Sequence, residues 1–399
     1  MTEPQKKKGT LVLTLILGML AAIAPLSTDM YLPALPFMQN EFSASTSLIQ
    51  LTLTTSMVGM ALGQIFAGPI SDMKGRKIPL LTGLAIFTLA SIVCAFSTSI
   101  YIFLTFRFIQ GLSGAAGIVI ARAIARDFYK GYALTKFFSM LMLVNGLAPI
   151  LSPIIGGQIL IFSSWRAIFV LLMLIGILLT GSVFFFTKES LAVEDRLPGG
   201  LKSSLHSFNV LLKNRYFLGH CLMQCSTFAA FFAYISGSPF VFQNVYGVSA
   251  QTFSGIFALN GIGLMLGGII AGRLAGRIAD TSILRYGILQ ACVGSAILLV
   301  CLLLHASLPI ILFILFLTIS MLSIIASSSF SLAMQSQGKA AGSAAALIGF
   351  FSAISGGIMA PLVGIAGSHN AIPMGIIMLL GYLGAAVFFY RMILPTHKK

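Results

Sequence analysis

The sequence predicts an all-α membrane protein, with twelve transmembrane helices arranged as two pseudo-symmetric bundles of six helices. Three observations lead to this prediction. Of the 399 residues, 58% are hydrophobic and only 8% are charged, which is far from the composition of soluble globular domains. Apolar stretches long enough to cross a bilayer recur along the whole chain. Basic residues collect in every second connection between these stretches, as they do in cytoplasmic loops.

The twelve apolar stretches are bounded by charged and turn residues, and each one is predicted to form a single helix. The first stretch follows the charged start MTEPQKKK and passes through the sequence AIA, which imitates a secretory signal peptide. Because it continues to residue 37 and further spans follow, we expect it to remain as the first helix. The predicted helices are 11–37, 48–70, 78–97, 101–125, 135–161, 164–187, 215–241, 250–272, 283–305, 308–330, 340–364 and 370–390.

In this arrangement all Lys and Arg residues except Arg107 and Arg166 fall on one side of the membrane. The positive-inside rule makes that side cytoplasmic, so both termini are predicted to be cytoplasmic and the protein to lie in the cytoplasmic membrane. The net charge of +15 would suit a nucleic acid only if the basic residues formed a patch on one folded surface. They are spread over short loops instead, so no nucleic-acid partner is expected.

The longest polar connection runs from Lys188 to Arg215 and divides the chain near its middle. We therefore predict an N-terminal six-helix bundle over residues 1–190, a cytoplasmic linker over 191–214 and a C-terminal bundle over 215–399. If the bundles are repeats, similar residues should recur at a fixed offset. An offset of 204 positions does this for two pairs of dipeptides, Gln39-Asn40 with Gln243-Asn244 and Ala67-Gly68 with Ala271-Gly272.

The stretch STDMYLPALP places Asp29 inside the first predicted helix, whereas the other acidic residues lie in termini, loops or helix ends. Arg107 lies within the fourth predicted helix, at a similar depth if residues are counted at about 1.5 Å each. Charged side chains within spans mark transport pathways or ion pairs. Burial favours a protonated carboxyl group, and a nearby cation favours the ionised form. We hypothesise that Asp29 carries a proton and that Arg107 couples it to the substrate.

Two alternatives to this hypothesis remain open at the level of sequence. In the first alternative, Asp29 and Arg107 form a purely structural ion pair that holds the bundle together, although buried ion pairs are weak evidence for stability. Alternatively, the long side chain of Arg107 would extend to the outer surface of the membrane.

The loop after the second predicted helix, GPISDMKGRKIPL, combines glycines, one acid and paired basic residues. Gly68 allows two helices to approach closely, and Gly75 permits a tight turn. Asp72 suits a position facing a helix N-terminus, where negative charge is favoured. A simple positive-inside turn is the alternative, but Arg76 and Lys77 alone would satisfy it.

The fifth predicted helix contains two prolines and two glycines in the sequence NGLAPILSPIIGG. Pro149 and Pro153 remove backbone hydrogen bonds and favour a bend, while Gly156 and Gly157 allow close packing. We predict a hinge here. Because proline and glycine are common in membrane helices, a structural role remains the alternative.

These motifs resemble those of a known family. The loop from Gly68 to Lys77 resembles the signature loop of the major facilitator superfamily, and RFIQGLSGAAG, which begins at Arg107, resembles its helix-4 motif. NGLAPILSPIIGG is similar to the helix-5 motif of its antiporters, although Ala148 and Ser152 replace the glycine that usually precedes proline. Together with STDMYLPALP and FAYISGSPFVFQ, they make the chain similar to Bcr/CflA-type drug:proton antiporters. The resemblance implies two six-helix bundles, a cytoplasmic latch formed by the loop, and proton-coupled export of lipophilic compounds.

The predicted function is efflux of lipophilic drugs or antibiotics by alternating access, driven by protons. The spans are dominated by Leu, Ile, Ala, Gly and Phe, which suits such compounds better than sugars. We expect a monomer whose substrate cavity is lined by Tyr31, Gln110, Phe231 and Tyr234. The alternative is a facilitator or proton-coupled transporter of a small metabolite or nutrient.

No cofactor, metal site or enzymatic activity is predicted. The sequence contains no Walker motif GxxxxGK[ST], which disfavours direct use of ATP, and no span carries a cluster of catalytic side chains. The five cysteines all lie in apolar stretches without polar partners, so neither disulfides nor metal ligands are expected. These residues are Cys94, Cys221, Cys225, Cys292 and Cys301.

Overall fold

The computed structural model of the protein describes residues 3–129, 131–196, 209–335 and 341–397. Almost all of these residues are helical, as predicted, because apolar side chains cannot satisfy backbone polar groups within a bilayer and a helix satisfies them internally. The α-helices are α1 Glu3–Asp29, α2 Leu35–Phe42, α3 Thr46–Lys74, α4 Lys77–Phe96, α5 Ile100–Phe128, α6 Gly131–Phe162, α7 Arg166–Phe186, α8 Arg215–Phe240, α9 Ala250–Leu274, α10 Asp280–Leu303, α11 Leu308–Met334, α12 Ala341–Val363, α13 Ile372–Phe388 and α14 Leu394–His397.

Short irregular helices complete several of these elements. A 3₁₀ turn joins α1 to α2, and π-helical segments extend α8 and α13; 3₁₀ turns also follow α7 and α12. Their bounds are Leu32–Ala34, Val241–Val245, Phe389–Ile393, Val193–Asp195 and Gly364–Ala366. In the described part of the chain, eleven helical segments are long and apolar enough to cross a membrane, and α6 adds the shorter apolar stretch Gly146–Phe162.

The first predicted helix, 11–37, is wrong in one respect: α1 ends at Asp29, and the helix is interrupted before α2 begins. Pro33 has no N–H group, so it cannot bond the carbonyl of Asp29 four residues earlier. The residue before a proline also avoids the α conformation, which affects Leu32. The interruption therefore follows from the PALP sequence and leaves Asp29 at a helix end.

The chain folds into two compact units. The first contains Met1–Tyr31 and Thr55–Lys202. Within it, α4 packs on α5 and α7, while α1 packs on α5 and α6. Small residues allow this close packing, as is usual for helices in membranes. A Cβ atom on Gly111, for example, would lie 1.9 Å from the carbonyl oxygen of Ser56.

The second unit contains Leu32–Thr54 and Ser203–Lys399. In this unit α10 packs on α11 and α13, which repeats the packing of α4 on α5 and α7. The segment Leu32–Thr54 joins it through hydrogen bonds: Gln50 Nε2 donates to the Ser236 carbonyl and Thr54 Oγ1 to the Gly357 carbonyl, both at 2.9 Å. The predicted domain borders at 190 and 215 stay predictions, since residues 197–208 of the linker lie outside the described residues.

Candidate functional site

Arg107 lies in α5, is fully buried and forms the centre of a polar network. Its Nη1 donates to Ser27 Oγ at 3.2 Å and to Gln110 Oε1. Gln110 in turn donates through Nε2 to Ser91 Oγ at 2.7 Å. The Nε and Nη2 atoms of Arg107 have no hydrogen-bond partner among the described residues. A buried guanidinium with spare donors is costly unless something compensates for its charge.

Aromatic rings supply part of this compensation. The guanidinium carbon of Arg107 lies 4.4 Å from the ring centroid of Tyr31 and 5.7 Å from that of Phe169, within the range of a cation–π interaction. Phe169 packs edge-on against Phe103 and Trp165. Tyr31 and Gln110, predicted as cavity residues, are both fully buried and contact Arg107 directly. Ser27, Ser91 and Phe169 were not predicted, because only long-range packing brings them to this network.

Asp29 is the last residue of α1 and is half-buried. The Thr28 hydroxyl lies 3.0 Å from both Asp29 Oδ1 and the Ala24 carbonyl, so it donates to one or the other. No ion pair joins Asp29 to Arg107 in the described part of the chain, where both ion pairs belong to Arg76. The structural ion pair between Asp29 and Arg107 is therefore not formed in this structure, and Arg107 does not extend to the outer surface.

Helix α6 comes close to the interruption after α1. Gly156 is the contact point, because a Cβ atom there would lie 1.7 Å from the carbonyl oxygen of Met30. Helix α6 remains helical through Pro149 and Pro153, and Gly157 is buried beside Gly156. The hinge predicted from these four residues stays a prediction, but Gly156 is required for the packing next to Asp29.

In the second unit, the predicted cavity residues Phe231 and Tyr234 belong to a row of aromatic rings. Tyr234 stacks on Phe257 with centroids 5.5 Å apart, and Phe231 stacks on Tyr234 at 6.3 Å. The hydroxyl of Tyr234 accepts a hydrogen bond of 3.1 Å from Asn260 Nδ2. Asn260, which was not predicted, is buried, and its Oδ1 has no partner among the described residues. The row is therefore apolar except for the Tyr234 hydroxyl and this amide.

Arg76 is the centre of the contacts made by the predicted latch residues in the loop between α3 and α4. The guanidinium of this buried residue bonds Asp72 through Nη1 and Asp127 Oδ2 through Nε at 3.2 Å. Gly75 has φ of +88°, a conformation that favours glycine. Lys77 donates through Nζ to the Phe184 carbonyl at 2.9 Å. All these contacts lie within the first unit, so the predicted latch to the opposite half stays a prediction.

The remaining predicted latch residue is Gly68. Gly68, in α3, faces α5, since a Cβ atom there would lie 3.7 Å from Val119 Cγ1. The Gly68 carbonyl also accepts a 2.8 Å hydrogen bond from the Ser71 hydroxyl. A Cβ atom at Gly68 would thus make only an ordinary contact with α5, so the close helix approach predicted from this glycine stays a prediction.

The sequence did not predict the role of Glu189, which follows α7. Its carboxylate accepts hydrogen bonds from the backbone N–H groups of Arg76 at 2.7 Å and Lys77 at 3.1 Å, at the N-terminus of α4. Partial burial raises the pKa of Glu189, but backbone N–H donors from Arg76, Leu191, Lys77 and Ser190 outweigh it, so the net pKa is below the ordinary value. Negative charge is favoured at a helix N-terminus, and Glu189 therefore fixes the loop.

The helices, the buried charges and the loop are those of a multi-pass membrane protein. A family model described as Major Facilitator Superfamily matches residues 17–361. The chain belongs to the major facilitator superfamily, which confirms the resemblance and the predicted fold class.

Curated relatives cover most of the chain. It is 42% identical to the uncharacterized MFS-type transporter YdgK of Bacillus subtilis over 96% of both proteins. It is 32% identical to a bicyclomycin resistance protein homolog of Haemophilus influenzae, over 92% of this chain and 93% of the relative. A chloramphenicol resistance protein of Pseudomonas aeruginosa is also 32% identical, over 71% of this chain and 67% of the relative.

Solved structures share the fold. A bacterial homolog of the human lysosomal transporter Spinster matches with a TM-score of 0.78 and 17% identity, and the match covers 99% of both chains. A D-xylose-proton symporter matches with the same TM-score and 15% identity, over 96% of this chain and 98% of the other. At these identities the likeness concerns the fold alone.

Proposed function

We propose that this transporter exports lipophilic drugs or antibiotics in exchange for protons, with Asp29 as the proton carrier. Two of the relatives are named for resistance to bicyclomycin and chloramphenicol, which supports the drug class. Alternating access around a site within the membrane is the mechanism that two repeated bundles support.

The observation that carries the proposal is the state of Arg107. It is fully buried, and among the described residues two of its nitrogen atoms have no partner and no carboxylate pairs with it. A membrane protein keeps such a charge when function requires it. Its spare N–H groups and the rings beside it suit a partner that arrives and leaves during transport, and a carboxylate or a substrate acceptor group would serve.

The surroundings of Asp29 support a role for this acid together with Arg107. It lies two residues from Ser27, which bonds Arg107, and two residues from Tyr31, whose ring contacts the guanidinium. The interruption after α1 frees the local backbone from the helical ladder. Asp29 is therefore connected to Arg107 through Ser27 and Tyr31 and is not locked to it in an ion pair. In the proposed cycle, the carboxyl group loads a proton in one state and releases it in the other.

The aromatic row in the second unit supports the substrate class. Stacked rings such as Tyr234 and Phe257 provide large apolar contact area, while Asn260 Oδ1, which has no partner in the described part of the chain, offers one acceptor. We propose that Phe231 and Tyr234 contact the lipophilic part of the substrate.

The test measures proton release on addition of an antibiotic to purified protein in a weakly buffered detergent solution. The wild-type protein is expected to release at most one proton per molecule, because Asp29 is the only acid within a predicted span. Asp29→Asn is expected to bind the antibiotic without release. Asp29→Glu keeps a carboxyl group and should retain part of the release.

Glu41→Gln is the matched control, since it removes an acid from the exposed end of α2 and should leave proton release unchanged. Unchanged release from a well-folded Asp29→Asn protein would contradict the carrier role. If the wild-type protein protects an efflux-deficient host against no antibiotic in a panel of neutral and cationic compounds, the nutrient alternative becomes the better proposal.

A further inference from the structure

A groove lies between α3, α4 and α5 in the first unit, and no residue of the Arg107 network lines it. Its volume is about 430 Å³. The floor is buried and formed by small or branched residues, including Gly83, Ala116 and Ile120, while the rims carry exposed side chains such as Phe66 and Ile78. The groove is thus open along one side of this helix group, and its base is well packed.

The hydroxyl groups in the walls of the groove are already hydrogen-bonded, so the walls present an apolar surface. Its two hydroxyl groups bond carbonyls of their own helices: Thr82 Oγ1 donates to Ile78 at 3.0 Å and Ser113 Oγ donates to Ile109 at 2.8 Å. The one charged residue in the lining is Lys74, which is exposed and has no ion pair in the described part of the chain. An apolar channel therefore ends at a single positive charge.

The length of the groove bears on which ligand would fit it. Lys74 is the last residue of α3, and Gly63 lines the other end. At about 1.5 Å per residue these positions are roughly 16 Å apart along the helix axis, which is about half of the 30 Å hydrocarbon core of a bilayer. A groove of this length fits within one leaflet, and a lysine at the end of a membrane-spanning helix is at the position where headgroups are expected.

We propose that this groove binds one acyl chain of an anionic phospholipid, whose phosphate group contacts Lys74, in the leaflet where α3 ends. An acyl chain matches the apolar walls and the single-leaflet length, and an anionic headgroup matches the lysine at the end of the groove. The inference is independent of the transported substrate, because it depends only on the membrane location of the first unit.

The test is native mass spectrometry of the full chain, titrated with dioleoylphosphatidylglycerol or dioleoylphosphatidylcholine. The wild-type protein should retain phosphatidylglycerol in preference. Lys74→Gln should lower that preference about fivefold, the effect of one basic residue near an anionic surface, and leave phosphatidylcholine binding unchanged. Thr82→Trp should fill the groove and reduce the binding of both lipids.

Two matched variants serve as controls. Lys213→Gln removes an equally exposed charge elsewhere. Thr105→Trp alters an exposed threonine on α5 that makes the same type of hydrogen bond, to the Tyr101 carbonyl at 3.0 Å, away from the groove. Both should bind lipid like the wild-type protein.

The proposal is overturned if Lys213→Gln loses the preference as strongly as Lys74→Gln, or if Thr82→Trp retains lipid like Thr105→Trp. Displacement of the phospholipid from the wild-type protein by an exported antibiotic would also overturn it and make the groove a substrate site. Since Lys74 is exposed, Lys74→Gln tests the proposal even if the tryptophan variant folds poorly.

Discussion

The two units repeat the same helix packing but differ in their charges. At the sequence offset of 204, Asp29 corresponds to Ala233 and Arg107 corresponds to Ile311, and both of these second-unit residues are fully buried. The first unit therefore has an acid and a cation where the second has apolar side chains. The two units therefore share the packing of their helices, but at these repeat positions the charged side chains lie only in the first unit.

The connecting loops show the same difference. Gly75 in the first unit and Gly276 in the second both have positive φ, +88° and +77°, so both loops contain a turn that favours glycine. Only the first loop surrounds a buried arginine, and Gly276 stands where the signature motif would have an acid. Both loops therefore use a glycine turn, although at positions three residues apart in the repeat, whereas the described ion pairs belong to the first loop alone.

The strongest test of this comparison exchanges Arg107 for methionine. Arg107→Met is expected to lower pH-gradient-driven export by at least about tenfold, equivalent to about 1.4 kcal/mol, because the cation at the centre of the buried network is lost. Ile311→Met, a nearly volume-conserving change, should leave export within about twofold. The measurement is antibiotic efflux from proteoliposomes, with folding checked by size-exclusion chromatography. A well-folded Arg107→Met protein with wild-type export would show that the charged half has no special role.

A second, smaller effect is expected in the loops. Arg76→Gln removes two ion pairs and should destabilise the protein by roughly 2 kcal/mol, a value reduced because Asp72 is partly exposed. For a chain of 399 residues this corresponds to a fall in Tm of roughly 2 °C, because the entropy of unfolding grows with chain length. Arg277→Gln in the second-unit loop, where the described residues include no ion pair, should change Tm by less than about 1 °C. Equal shifts in detergent-solubilised protein would remove the difference between the loops.

The smallest effect concerns pH and Glu189. Because the pKa of Glu189 is lowered in the folded protein, its stabilising contribution is fully present above the ordinary glutamate pKa of 4.5. It is lost as the pH falls through the lower, folded-state pKa. The difference in Tm between the wild-type protein and Glu189→Gln should be constant near pH 7 and shrink below about pH 4.5.

Glu194→Gln provides the comparison for this pH profile. It alters an exposed acid in the same connection. Glu194 is not the acceptor of the hydrogen bonds from the N-terminus of α4, which go to Glu189. Its Tm should follow that of the wild-type protein at every pH. A Glu189→Gln difference that grows on acidification would exclude the proposed capping role.

The sequence predicted the helices well, because long apolar stretches and the alternation of basic loops are strong local signals. The interruption after Asp29 was missed even though Pro33 was visible, since hydropathy is unaffected by a lost backbone hydrogen bond. Glu189 could be placed only in the long polar connection that begins at Lys188, because its partners Arg76 and Lys77 lie more than a hundred positions earlier in the chain. Arg107 was found from its charge alone, but its aromatic neighbours required the fold.

The path of the polypeptide has a consequence for assembly. Residues 32–54 come from the first half of the sequence but belong to the second compact unit, where Gln50 and Thr54 bond backbone carbonyls of α8 and α12. A separately synthesised fragment 215–399 would lack this segment of the second unit. The polar side chains of this early segment therefore find these acceptors only after α8 and α12 have been translated, so the second unit is completed by residues made near the start of synthesis.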